Sequence, residues 1–387
     1  MNILLDFIPF QINGGIGGAA SYAKAVSDEI CLSVGPQDQL FATYDSSLGT
    51  GRQYDHEDYA RQYNITLVDL SAAPLSRHIA QNNIQVVFIA IAQFYSAYDL
   101  SGISCRVVMG IHDIWDVERE DNHIELIIRD SRLENTFRWL KRLAGSFSGR
   151  HYSQQQAIYD HIMPLYASPA TISFTVSEYT RAALTYHFPV LTNKDIHVLY
   201  SPARAVPTQP AVENEQLRSL IDNKRQYLFM LSANRRLKNA RLLVEVYQRL
   251  LAEHPDLHLV TLKYGCSVHP QHVDIPFLTD ADLQHAYKHA YALVFTSFFE
   301  GFGYPPVEAM RYQTPTVVSN VTSIPEIVGE AGIYFSPFYP ADLFRALKTV
   351  LEDRNCRATQ LSRRFAEVTK RQQDDLKKLS QLIISNE

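Results

Sequence analysis

Glu300 and Glu308 lie within one stretch, VFTSFFEGFGYPPVEAM (294–310). An apolar run ends near Ser297, a loop carries Glu300, Gly301 and Gly303, and Pro305 with Pro306 stands where a helix can begin. Proline lacks only an N–H that would have no partner in a first turn. Glu308 then falls in that first turn. Glycines let a ligand come close to the main chain, and the N–H groups of a helix start hold anions. Two carboxylates repel phosphate but accept hydrogen bonds from hydroxyls, so the pattern suits a ligand that carries both, one acid for a transferred sugar and one for a ribose. The plainer alternative is that Glu308 complements the helix dipole and Glu300 is a solvated loop acid.

Three further segments can contribute. In LSANRRLKN (231–239) a strand runs into a basic turn, where Lys238 with Arg235 or Arg236 can neutralise a diphosphate. A solvated basic helix start is the alternative, slightly disfavoured by the dipole. NGGIGGAA (13–20), with Gly15 and Gly17, follows one strand and precedes a helix, the arrangement of a phosphate loop. Gly15 to Ala20 also fits the G-x-G-x-x-A dinucleotide fingerprint. Against that fit, the glycines begin several residues past the strand NILLDF, and Asp45 lies later than the usual ribose-binding acid. His112, followed by Asp113, ends the strand RVVMGI. Asp280-Ala-Asp282 has the spacing of a metal-binding D-x-D, but LTDADLQHAY reads as a capped helix start, and no metal site is expected.

The elements that must hold these residues alternate short β-branched runs with amphipathic stretches: NILLDF, SYAKAVSDEI, LFATYD, QVVFIAIA, RVVMGIHD and ISFTVSE, then QYLFMLS, ARLLVEVYQRLL, LHLVTLKYG, DLQHAYKHA, YALVFTS and TPTVVSN. That rhythm implies parallel strands with helical crossovers. It breaks at SPARAVPTQPAVENEQ (201–216), the expected domain boundary. The fold class is α/β, two doubly wound Rossmann-like domains over 1–200 and 201–365, expected to face each other across a ligand crevice at the carboxyl ends of their strands. A C-terminal helix, 366–387, can pack back on the first domain.

With 387 residues the chain exceeds what one core usually serves. A formal net charge of -5 argues against nucleic acid as a partner. Cys31, Cys105, Cys266 and Cys356 are far apart, with no zinc or disulfide spacing, which fits a reducing, cytoplasmic compartment. MNILLDFIPFQ has no positive flank of a signal peptide, and VVFIAIA is too short to cross a bilayer. The segment IIRDSRLENTFRWLKRLAGSFSGRHY (127–152) mixes arginines with Phe137, Trp139 and Phe147, as a membrane-surface helix does; a packed helix with a basic outer face is the alternative.

The run E-G-F-G-x-P-x-x-E-A-M, continued by TPTVVSNVTSIPEIVGEAGIYFSP, resembles the carboxyl-terminal signature of the retaining glycosyltransferases of family 4. The resemblance extends back through LSANRRLKN, TVSEYTRAAL and MGIHDIW to GGIGG. It implies a GT-B fold and a retaining, metal-independent transfer of a hexose-type sugar from a nucleotide-diphosphate sugar to a glycan or lipid-linked glycan, in surface polysaccharide synthesis at or near the inner face of the membrane. No cofactor is implied beyond the donor substrate. Carried onto this chain, the resemblance makes His112, Lys238 and Glu300 the catalytic residues, Lys238 at the diphosphate and Glu300 near the donor sugar. It gives Gly15, Gly17, Arg235 or Arg236, Phe302, Gly303, Tyr304 and Glu308 to donor binding, Glu308 at the ribose. His112 would contact the donor sugar or its phosphate, with Asp113 orienting it. The segment VDIPFL (273–278) would run beside the nucleotide base. A nucleotide-sugar epimerase, an inactive scaffold of the same fold and, last, a nicotinamide dehydrogenase are the competing classes.

Overall fold

The computed structural model describes residues 1–15, 17–121, 150–206 and 211–385. The basic, aromatic segment 127–149 lies outside the described residues. Most of the described chain divides into two compact units. Met1–Val117, 150–204 and the residues from Lys370 onward form the first, and 118–121 together with Ala205–Thr369 form the second.

The first unit is built on a seven-stranded sheet, with β1 (Asn2–Asp6), β2 (Gln39–Tyr44), β3 (Thr66–Asp69), β4 (Val86–Ile89), β5 (Arg106–Ile111), β6 (Thr171–Thr175) and β7 (Ile196–Val198) in the order β3-β2-β1-β4-β5-β6-β7. Every pairing is parallel. The second unit repeats the design with six strands: β8 (Tyr227–Met230), β9 (His258–Leu262), β10 (His272–Ile275), β11 (Ala292–Phe295), β12 (Thr316–Ser319) and β13 (Gly332–Phe335), in the order β10-β9-β8-β11-β12-β13 and again all parallel. A parallel strand is covered by helices on both faces, so its residues are apolar without alternation. β4, VVFI, and β11, ALVF, are buried at every position.

In each sheet the strand order reverses once, between β1 and β4 and between β8 and β11. At such a point the two outgoing loops diverge and leave a crevice beyond the carboxyl ends of the strands. The helix Ala240–Leu250 buries Leu243, Val246, Tyr247 and Leu250, the inward stripe of an amphipathic helix. The helix Asp280–His289 starts at Thr279, whose hydroxyl accepts from Asp282 N, while the Asp282 carboxylate takes the N–H groups of Glu213 and Asn214. Asp282 thus serves as an anchor for the segment leading into the second unit. Among the described residues no group of His, Cys, Asp or Glu is placed to hold a metal ion, and no helix is long and apolar enough to cross a membrane.

The helix Ala358–Ile384 runs for 27 residues. Its early residues belong to the second unit, where Arg364 donates to the carbonyls of Ile327 and Glu326. Its later residues belong to the first: Gln372 donates to the Ser201 carbonyl at 2.6 Å, and Asp375 accepts from Tyr200 N at 2.8 Å.

Candidate functional site

In the second unit the chain leaves β8 through Leu231–Lys238 and leaves β11 through Thr296–Gly303, the two loops that flank the reversal point. They are stitched together by backbone. Phe298 N donates to the Leu237 carbonyl at 2.8 Å, and the Thr296 hydroxyl donates to the carbonyls of Lys238 and Asn239. Asn239 has a φ of 53°, which ends the basic 3-10 turn Arg236–Lys238 and starts the helix Ala240–Leu250. This geometry brings Lys238 Nζ onto Glu300 Oε1 as an ion pair, with the ammonium 4.9 Å from the Phe295 ring centroid. The side chains are 15% and 13% exposed, so both are largely enclosed and yet reach the surface. Arg235 and Arg236 stand exposed on the same turn.

A third loop, after β12, supports Glu300 from behind. Thr322 Oγ1 accepts from Glu300 N at 3.0 Å, and the Ser323 hydroxyl donates to the carbonyls of Glu300 and Phe302. Gly303 follows with a φ of 103°, and the helix Tyr304–Met310 opens with Pro305 and Pro306 in its first turn. The helix begins one residue ahead of the prolines, so Glu308 lies in the second turn and not the first, and no acid occupies the first turn. A dipole-complementing role for Glu308 is thereby removed. Its side chain is turned inward and accepts from the hydroxyl of Tyr287, a fully buried residue of the helix Asp280–His289. Tyr287 gives no signal in the sequence, because the contact joins two helices that only the tertiary fold brings together. The segment VDIPFL contributes its first residues to the edge strand β10, and Phe277 beyond it is 65% exposed.

In the first unit the glycine loop is set by backbone conformation. Gly15 has a φ of 68°, and a Cβ there would stand 2.1 Å from the Phe10 carbonyl oxygen; Gly17, with a φ of 115°, has open space and precedes the helix Gly18–Ser33. Tyr22 of that helix packs edge-on against His112, with ring centroids 4.3 Å apart, so the loop's helix and His112 meet. Burial pushes the His112 pKa down to about 3, opposed by a hydrogen bond to the Ala90 backbone. Nε2 is out of reach of solvent and has no partner among the described residues, so the Ala90 bond runs through Nδ1. Burial thus favours the uncharged imidazole. Next to it, Asp113 accepts from Trp115 N.

Ala90 N in turn donates to Asp6, at the carboxyl end of β1 and fully buried. Burial raises the Asp6 carboxyl to about 7, despite bonds from Tyr95, Ala90 and Ile8. Asp45, the acid weighed for a dinucleotide site, accepts from Ser47 and from the Tyr98 hydroxyl. Ser177, in TVSEYT, is an N-cap that accepts from Thr180 N.

Residues 212–372 match the family described as glycosyl transferases group 1. The serotype-specific mannosyltransferase WbdA of Escherichia coli is 32% identical over 160 residues, 36% of this chain and 19% of WbdA. The O-antigen chain mannosyltransferase B of Escherichia coli is 49% identical over 61 residues, 16% of each chain. The aligned part thus spans about a fifth or less of the length of these curated relatives. Among solved structures, Anabaena Alr3699/HepE in complex with UDP and glucose superposes with a TM-score of 0.64 at 14% identity, over 99% of both chains. The fold is of the GT-B type.

Proposed function

We propose that this chain, which carries a glycosyl transferases group 1 domain within a GT-B fold, transfers a hexose from a nucleoside-diphosphate sugar to a glycan or lipid-linked glycan, with retention of anomeric configuration and without a metal ion. Mannose is the sugar named for both relatives, one of which acts on an O-antigen chain, which supports a place in surface polysaccharide synthesis. The observation that carries the reading is the Lys238–Glu300 pair between the two loops at the reversal point of the second sheet.

In the reaction the bond from the anomeric carbon to the diphosphate oxygen breaks and a bond to the acceptor oxygen forms. Negative charge grows on the diphosphate as the first bond lengthens, and a fixed ammonium stabilises that charge more than it stabilises the bound donor. Lys238 is that ammonium. The acceptor's proton passes to the departing phosphate oxygen. Glu300 accepts from hydroxyls of the transferred sugar while keeping Lys238 in place. Glu308 accepts from the ribose. His112 contacts the transferred sugar or its phosphate. Main chain at Gly15, Gly17, Phe302, Gly303 and Tyr304 and the guanidinium of Arg235 or Arg236 complete the donor site.

A thermal-shift panel with UDP, GDP, dTDP and their hexose conjugates, with and without EDTA, tests this. One nucleotide class at 100 times its Kd adds about 2.7 kcal/mol of stability. The shift, and hexose transfer from the matching donor, should persist in EDTA. Stabilisation by none of these ligands, or turnover abolished by EDTA and restored by manganese or magnesium, would overturn the proposal in its main or its metal-free part.

A further inference from the structure

We infer that Tyr287 is a positioning residue for nucleotide binding: its hydroxyl fixes the Glu308 carboxylate in the one orientation that serves the ribose. The inference rests on the ribose assignment of Glu308 made above. Glu308 sits on a helix of only seven residues, Tyr304–Met310, and an unrestrained glutamate there has three rotatable bonds to order when ligand arrives. The Tyr287 hydroxyl donates to Glu308 Oε2 from the neighbouring helix, so one carboxylate oxygen is spent on orientation.

Tyr287 is itself held on three sides. Its side chain is fully buried. Its ring meets Phe229 of β8 edge-on, with centroids 5.5 Å apart and an interplanar angle of 81°. Its carbonyl accepts from the Thr314 hydroxyl at 2.7 Å. The anchor therefore reaches from the sheet through a rigid ring to the carboxylate, and the ordering cost is met in folding, not in binding. A second bond joins the same two chain segments, from the Tyr312 hydroxyl to Gln284 Oε1 at 2.9 Å, and it does not touch Glu308. It supplies a matched control.

The test is calorimetric titration of GDP, UDP and their 2′-deoxy and 3′-deoxy forms into the full chain and its variants, using whichever base binds. Tyr287→Phe should raise the Kd of the ribonucleotide about tenfold and reduce its advantage over the deoxy forms, with the turnover number at saturating donor nearly unchanged. Tyr312→Phe should leave that advantage intact. Glu308→Ala should abolish the advantage, and adding Tyr287→Phe to it should change nothing more, as expected of coupled residues. If Tyr287→Phe does not fold, Glu308→Gln decides. The tyrosine donor draws the amide oxygen and turns the NH2 toward the ribose, so Gln should bind as poorly as Ala.

Wild-type affinity and deoxy discrimination in Tyr287→Phe, or wild-type affinity in Glu308→Gln, while Glu308→Ala is weak, overturns the positioning role and leaves the ribose reading standing. Wild-type binding by Glu308→Ala overturns the ribose reading itself.

Discussion

Lys238 is held by a carboxylate and by an aromatic face at once, through Glu300 and Phe295. In the reaction proposed above, such a clamp would fix the ammonium before the donor arrives, as transition-state stabilisation requires. Lys238→Ala should lower the turnover number by about 100-fold, with a much smaller change in the donor Kd. Titration calorimetry and rates at saturating donor separate the two, and a rate that recovers fully at high donor would reduce Lys238 to a binding group.

His112 and Asp6 give the same scale a pH signature. His112 is depressed from 6.5 to about 3, so the unfolded chain takes up a proton that the folded chain refuses; its contribution is complete above pH 6.5 and lost as pH falls toward 3. Asp6 is raised from 3.8 to about 7, so the folded chain keeps a proton that the unfolded one releases; its contribution is complete below pH 3.8 and lost as pH rises toward 7. Between about pH 4 and 6.5 the two slopes oppose, each at most about 1.4 kcal/mol per pH unit. Relative to the wild type, His112→Gln should gain Tm on going from pH 7 to 5, and Asp6→Asn should lose it. Variants that both keep the wild-type slope would show that neither group titrates as described.

At the scale of elements, three glycines with left-handed backbone rank by what a methyl group would meet. Gly15→Ala collides with the Phe10 backbone and should cost the most, about 3 kcal/mol or more. Gly303→Ala meets Ile324 Cδ1 at 2.6 Å, a side chain that can yield, and should cost about 2 kcal/mol. Gly17→Ala bears only its backbone strain, about 1 kcal/mol. Urea midpoints test the order, and a Gly17 variant weaker than the Gly15 one would refute it. The central strands were legible because burial on both faces makes them unbroken apolar runs, as in VVFI and ALVF. β10 was not: HVDI carries His272 and Asp274, whose polarity is absorbed by Thr261 and by the N–H groups of Tyr264 and Gly265. The motif EGFGYPPVEAM named Glu300 and Glu308, but the helix starts at Tyr304, and that one-residue offset put Glu308 in a different turn. Tyr287 and the Ala90 link to His112 are tertiary contacts with no local pattern to betray them.

For the whole molecule, the late part of the helix Ala358–Ile384 completes the first unit. It buries Gln372, Leu379, Ser380 and Ile383, stacks the Arg371 guanidinium 3.8 Å over the Tyr200 ring, and offers the Ile383 carbonyl to Arg106 at 3.0 Å. Two fully buried aliphatic side chains alone contribute about 3–6 kcal/mol, comparable with the net stability of a domain. Cutting the chain after Thr369 should therefore broaden or abolish the thermal transition of the first unit and raise its binding of a hydrophobic dye. An unchanged transition would mean that this segment is dispensable. The same arrangement sets an order on the ribosome. The bulk of the second unit is one run of sequence, Ala205–Thr369, which follows its short upstream part at 118–121, so the unit has wholly emerged soon after Thr369 is made. The first unit is begun earlier but waits, with the seat around Tyr200 and Ser201 uncovered, until Lys370 and the residues after it have been made. The domain synthesised first is the one finished last.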